Sequence, residues 1–239
     1  MWVARQRPRQ LPVICQHLGM SAHRLAQIVS VPVVMTSALL SAPIGSPPAS
    51  AEPCSDVAVV FARGTHEPPG VGEVGQAFVD SLSSQVRGRS VAVYAVNYPA
   101  SDDYVTSASN GSDDASAYVQ DIVASCPNTR IVLGGYSQGA AVIDLSTSRM
   151  PPSVADHVAA VALFGNPSSG FSSMLSGGGP LPTISPLYGA KTIALCAPDD
   201  PICSAGADIL AHVSYIQSGM TSQAATFAAN RLNQASQHG

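Results

Sequence analysis

Charge is scarce in this 239-residue sequence: 11% of residues are charged against 46% hydrophobic, a balance that excludes a chain disordered throughout. No repeat with a period of 20 to 50 residues runs through it, which excludes a solenoid and leaves one domain with a single sizeable core. Acidic residues are missing from the first 51 positions, which carry Arg5, Arg7, Arg9 and Arg24. Basic residues are sparse afterwards: of 11 Lys and Arg, those four precede residue 52, leaving seven against 15 acids and a net charge of about −8. Nucleic acid and anionic membrane surfaces are therefore poor partners. The cysteines lack the close double pairs of a tetrahedral zinc site, so no metal is expected. No apolar run is long and unbroken enough for a comfortable membrane span, because the longest, Ile28 to Ile44, contains Pro32 and Pro43.

That basic-then-apolar order, ending in the small residues Ala49, Ser50 and Ala51, reads as a secretory signal over residues 1–51, with the mature domain at 52–239. Counting from Met20 gives a signal of ordinary proportions, which makes Met20 a candidate start. A secreted, extracellular or cell-envelope protein follows, with no stable membrane span once the signal is cleaved. The mature segment keeps an even set of cysteines, Cys54, Cys126, Cys196 and Cys203, the mark of two disulfides in an oxidising compartment.

The 20 Gly and 19 Pro indicate many tight turns. Val57–Phe61, Val91–Val96, Arg130–Gly134, Val158–Phe164 and Thr192–Cys196 are short apolar, β-branched runs without strict alternation, as expected of strands buried on both faces. Helical spacing marks Gly72–Val86 and Asp113–Ser125, the latter with Ser112 as its N-cap. Further helices are predicted over Gln138–Met150, stopped by Pro151 and Pro152, and over Ser222–Asn233. Alternating strands and helices give a parallel sheet. Residues 165–189, rich in Gly, Ser and Pro, read as a long surface loop.

Gly135, Tyr136, Ser137, Gln138 and Gly139 form a GxSxG pentapeptide set between a predicted strand and a predicted helix, the context a nucleophile elbow requires. A serine hydroxyl needs a base, and the base needs a group to fix its tautomer, in chain order Ser, acid, His. His66 and His157 precede the candidate acids and His238 sits in a terminal tail, which leaves His212. Asp199 and Asp200 both lie between Cys196 and Cys203, and spacing does not choose between them. The Gln138 backbone N–H, at a helix N-terminus, is placed to stabilise an oxyanion, and Thr65 offers its N–H and hydroxyl from the loop after the first strand. Arg63 and Glu67 either brace that loop as an ion pair or take a direct part in the chemistry, and Ile209 and Leu210 are expected to line the acyl site.

Together the motifs FARGT at 61–65, GGYSQGA at 134–140, ALFG at 162–165 and CAPDDPIC at 196–203 resemble the cutinase family, in particular its actinobacterial cutinase-like branch, over nearly all of 54–232. The resemblance implies an α/β-hydrolase of three layers with a five-stranded parallel sheet and no large lid. It implies a secreted serine esterase for short- to medium-chain carboxylic esters, with Ser137, Asp200 and His212 as triad and Thr65 and Gln138 as oxyanion hole. It pairs Cys54 with Cys126 and Cys196 with Cys203. Thr65 stands where the fungal enzymes carry serine. No cofactor is needed, and the expected partner is an ester or lipid-like small-molecule or polymer substrate met by a monomer. The alternative is a catalytically weak cell-envelope binding module on the same fold.

Overall fold

The computed structural model describes residues 54–235; the expected signal, residues 1–51, and His238 lie outside them. Five strands, β1 (Val57–Ala62), β2 (Val91–Ala95), β3 (Arg130–Tyr136), β4 (Val158–Phe164) and β5 (Thr192–Leu195), alternate with six helices. These are α1 (Gly72–Gln85), α2 (Tyr104–Ser125), α3 (Gln138–Arg149), α4 (Gly170–Leu175), α5 (Pro186–Gly189) and α6 (Met220–Ala235). The strands pair in parallel in the order β2-β1-β3-β4-β5. No helix among the described residues is long and apolar enough to cross a membrane.

Both faces of the sheet are covered, which is why the central strands read as unbroken apolar runs. Val57, Val59 and Phe61 of β1 face α1 and α6, while Ala58, Val60 and Ala62 face α2 and α3. On the first face Phe61, Phe78 and Phe164 pack in tilted and edge-on pairs with ring centroids 5.9 to 6.3 Å apart. Layering and sheet are those of the α/β-hydrolase fold that the resemblance implies.

Two sequence expectations are corrected. Helix α2 begins at Tyr104, nine residues before the predicted Asp113, and Ser112 is no cap: it is fully buried inside the helix, its hydroxyl donating to the Ser109 carbonyl at 2.8 Å. The first turns bury only small residues, Ser107, Ala108 and Gly111, so no apolar periodicity announces them. Small residues are needed there because a Cβ on Gly111 would lie 2.9 Å from Val142 of α3. The stretch 165–189 is not wholly irregular, since it forms α4 and α5. Helix α4 is capped by the Ser169 hydroxyl, which accepts from the Ser172 N–H at 3.0 Å.

Asp144 of α3 is fully buried. Desolvation raises its pKa from 3.8 to about 7, against the opposing hydrogen bond from Asn166 Nδ2 at 2.9 Å. Between those two values folding takes up a proton, so the stability this group permits at low pH is lost as pH rises from about 4 to about 7 and is level above that. The full effect is at most about 4 kcal/mol. Urea unfolding of the parent and of Asp144→Asn should therefore show the variant gaining on the parent between pH 4.5 and pH 8; a constant difference would contradict the burial argument.

Candidate active site

The chain leaves β1 toward one edge of the sheet and returns as β3 on the other side, so a crevice opens at the carboxyl ends of these two strands. Ser137 stands there between β3 and α3, at φ 54° and ψ −120°, a backbone conformation that a non-glycine residue holds only where its surroundings fix it. Its N–H donates to the Phe164 carbonyl at 2.9 Å, and its carbonyl accepts from the Ala140 N–H at 2.9 Å. The flanking glycine is dictated by crowding: a Cβ on Gly139 would lie 2.0 Å from the Ala62 carbonyl oxygen. Helix α3 thus starts pressed against the end of β1.

His212 sits on a 3₁₀ turn, Ala211–Val213, and its Nε2 lies 2.9 Å from Ser137 Oγ. Its Nδ1 lies 2.8 Å from Asp200 Oδ2. Asp200 is fully buried in the loop after β5 that the Cys196–Cys203 disulfide closes, and its Oδ1 accepts from the Ile202 N–H at 2.8 Å. Asp199 next to it is exposed, with φ 65°. The second disulfide joins Cys54 to Cys126.

Two tyrosines that sequence reasoning did not single out hold this array. The Tyr215 hydroxyl donates to Asp200 Oδ2, the oxygen that also meets His212, and accepts from the Ala197 N–H at 3.2 Å. Burial, then the hydrogen bond to Asp200, push its pKa up, so it remains a donor. Tyr136 donates to the His212 carbonyl at 2.7 Å and stacks on the imidazole with centroids 5.0 Å apart. An aromatic three residues beyond a histidine reads as core, and no pattern in the sequence marks its hydroxyl.

As the first residue of α3, Gln138 presents an N–H with no intrahelical acceptor. Its side chain is buried and fixed, Oε1 accepting from Ser107 Oγ at 3.0 Å and Nε2 donating to the Ser101 carbonyl at 2.9 Å. Thr65 lines the same cleft from the loop after β1. The expected ion pair in that loop is replaced by main-chain contacts. Arg63 Nε donates to the Glu67 carbonyl at 2.7 Å, and the Glu67 carboxylate accepts from the Gly64 and Glu73 N–H groups. The Glu67 carboxylate thereby satisfies two backbone N–H groups, that of buried Gly64 and that of Glu73 at the start of α1.

The cleft, about 430 Å³, is lined by Thr65, Ser137, Gln138, Leu175, Ile202 and His212 among others. Ile209 and Leu210, expected to line it, lie outside that lining and are 57% and 71% exposed. The turn through Asp208 carries them outward: the Leu210 N–H donates to Asp208 Oδ1 at 2.9 Å.

This arrangement can deprotonate a serine beside backbone donors, and comparison with known proteins points the same way. The chain is 76% identical over 216 residues to the carboxylesterase Culp1 of Mycobacterium tuberculosis, covering 90% of this chain and 100% of that one. It is 46% identical over 235 residues to the phospholipase Culp4 of the same organism, covering 94% and 99%. A Trichoderma reesei cutinase in complex with a phosphonate inhibitor superposes with a TM-score of 0.61 at 35% identity, over 75% of this chain and 78% of that one. An acetylxylan esterase superposes with a TM-score of 0.65 at 25% identity, over 75% and 100%. The cutinase family profile matches residues 53–232, and the chain belongs to the cutinase family, as a serine carboxylic-ester hydrolase.

Proposed function

We propose that Ser137 is the nucleophile, His212 the general base and acid, and Asp200 the group that orients His212, in a secreted esterase for short- to medium-chain esters. The observation that carries this reading is the unbroken contact chain from Ser137 Oγ through the imidazole to a buried carboxylate. Ser137 Oγ attacks the ester carbonyl carbon while His212 Nε2 takes its proton, and the tetrahedral oxyanion is met by the N–H groups of Gln138 and Thr65. Collapse expels the alcohol, which receives the proton from His212 and leaves an acyl-Ser137. Water, deprotonated by the same imidazole, then releases the acid. The Thr65 hydroxyl is a second donor to the oxyanion. Every participating group comes from one chain, so a monomer suffices.

Exposed apolar side chains near the site, Met174 and Leu175 on α4 and Leu210 and Val213 beside His212, favour an ester presented in a lipid-like or polymeric setting. Secretion follows from the basic-then-apolar residues 1–51 and agrees with the two disulfides. A series of 4-nitrophenyl esters from acetate to palmitate tests the acyl preference. The kcat/KM should peak between butyrate and octanoate and fall about tenfold or more by palmitate, since a cleft of this size discriminates by a few methylenes. A maximum at palmitate would contradict the short- to medium-chain assignment.

A further inference from the structure

A second cavity, of about 480 Å³, lies beside the catalytic cleft, and Tyr104 lines both. Its walls come from the start of α2, the exposed flank of α3 and the 176–183 segment, and they are largely apolar, with Val105, Leu145 and Leu181 among them. Asp144 belongs to this lining and is fully buried, with Oδ1 lacking a hydrogen-bond partner. The Tyr104 hydroxyl and Asn166 Oδ1 are likewise buried and unpartnered. Asn166 is tied to the same carboxyl group through Nδ2, and the pKa of the Tyr104 phenol is raised first by burial and then by the charge of nearby Asp144. Buried polar atoms left without partners cost about 1–3 kcal/mol each, so the two that belong to the lining of this apolar cavity, Asp144 Oδ1 and the Tyr104 hydroxyl, call for a ligand group that satisfies them.

We propose that this cavity is a substrate subsite that takes an apolar segment carrying a hydroxyl, whose O–H is bound by Asp144 and Tyr104, with Asn166 holding the Asp144 carboxyl group in place. The proposal rests on the Ser137 reading for its use in catalysis. A hydroxyl fits better than a purely donating or purely accepting group. The phenol of Tyr104 donates and accepts, and Asp144 accepts when ionised and donates when protonated. An ammonium ion would have to be desolvated against apolar walls with a single carboxylate for compensation, which is unfavourable. Asp144 Oδ1 and the Tyr104 hydroxyl are closed to bulk water.

Binding is measured first without turnover, on Ser137→Ala protein, so that failure of the catalytic reading does not obscure the result. By calorimetry 1-octanol should bind at least about tenfold tighter than octyl methyl ether, the worth of one hydrogen bond to a buried acceptor. Asp144→Leu should reduce that ratio to below about twofold. Ser148→Trp places a bulky ring into the cavity from an exposed position of α3, and should abolish octanol binding while leaving hydrolysis of 4-nitrophenyl acetate by the Ser137 enzyme unchanged. Equal affinity for alcohol and ether, tighter binding of octylamine, or octanol binding that survives Ser148→Trp would each overturn the proposal. With the active enzyme, two comparisons identify the arm of the ester that enters: 4-nitrophenyl 8-hydroxyoctanoate against octanoate for the acyl arm, and 8-hydroxyoctyl acetate against octyl acetate for the alcohol arm. One pair should favour the hydroxylated ester in an Asp144-dependent way; if neither does, the cavity is not a substrate subsite.

Discussion

Ser137→Ala should lower kcat for 4-nitrophenyl butyrate by a factor on the order of 10⁴ or more, with KM nearly unchanged. In the proposed mechanism the hydroxyl is the atom that forms the acyl bond, so no neighbouring group inherits its role. What remains, on the same reading, is the proposed oxyanion donors, the Gln138 N–H and Thr65, which would still stabilise attack by water and leave a residual rate above background. The substitution removes one oxygen and keeps the Ser137 N–H bond to Phe164 that fixes the elbow, so the fold should be retained and the thermal midpoint should shift little. An undiminished rate would exclude Ser137 as nucleophile.

Asp200→Asn should be almost as damaging, with kcat reduced by about 10⁴ at neutral pH. The carboxylate accepts three hydrogen bonds: from the Ile202 N–H on Oδ1, and from His212 Nδ1 and the Tyr215 hydroxyl on Oδ2. An amide keeps one accepting oxygen. With that oxygen on the Ile202 N–H, its NH₂ points at His212 Nδ1 and forces the imidazole proton onto Nε2, the nitrogen that must accept from Ser137. The same NH₂ also meets the Tyr215 O–H, donor against donor, where both side chains are fully buried. Activity should recover partly at alkaline pH as the serine ionises without its base. A loss below tenfold would place the orienting role on another group, with Asp199 the first to examine.

The strands were legible because burial on both faces produces runs such as VAVVFA and VAAVALF that few other environments tolerate. The start of α2 was not, because helix packing against α3 selects small residues whose pattern looks like a loop. Ser137 stood out because the elbow needs glycine on both flanks at fixed spacing. The choice between Asp199 and Asp200 could not come from spacing. It depends on a turn that holds Asp199 at positive φ with its side chain outward and turns Asp200 inward. Family resemblance named Asp200, and the fold brings that residue to His212. Tyr215 and Tyr136 stayed hidden because their rings pack as ordinary core while only the hydroxyls bear on the site. Ile209 and Leu210 misled because apolar character between acid and base says nothing about which way a turn faces.

Reaction of the folded protein with a fluorophosphonate, followed by mass mapping of its peptides, bears most directly on the central claim that imidazole and buried carboxylate activate one serine beside waiting amide donors. One equivalent of probe per chain should attach to the Ser137 hydroxyl, and His212→Ala should slow the labelling severely. Probe on a different serine, or a folded chain that takes up none, would contradict the account.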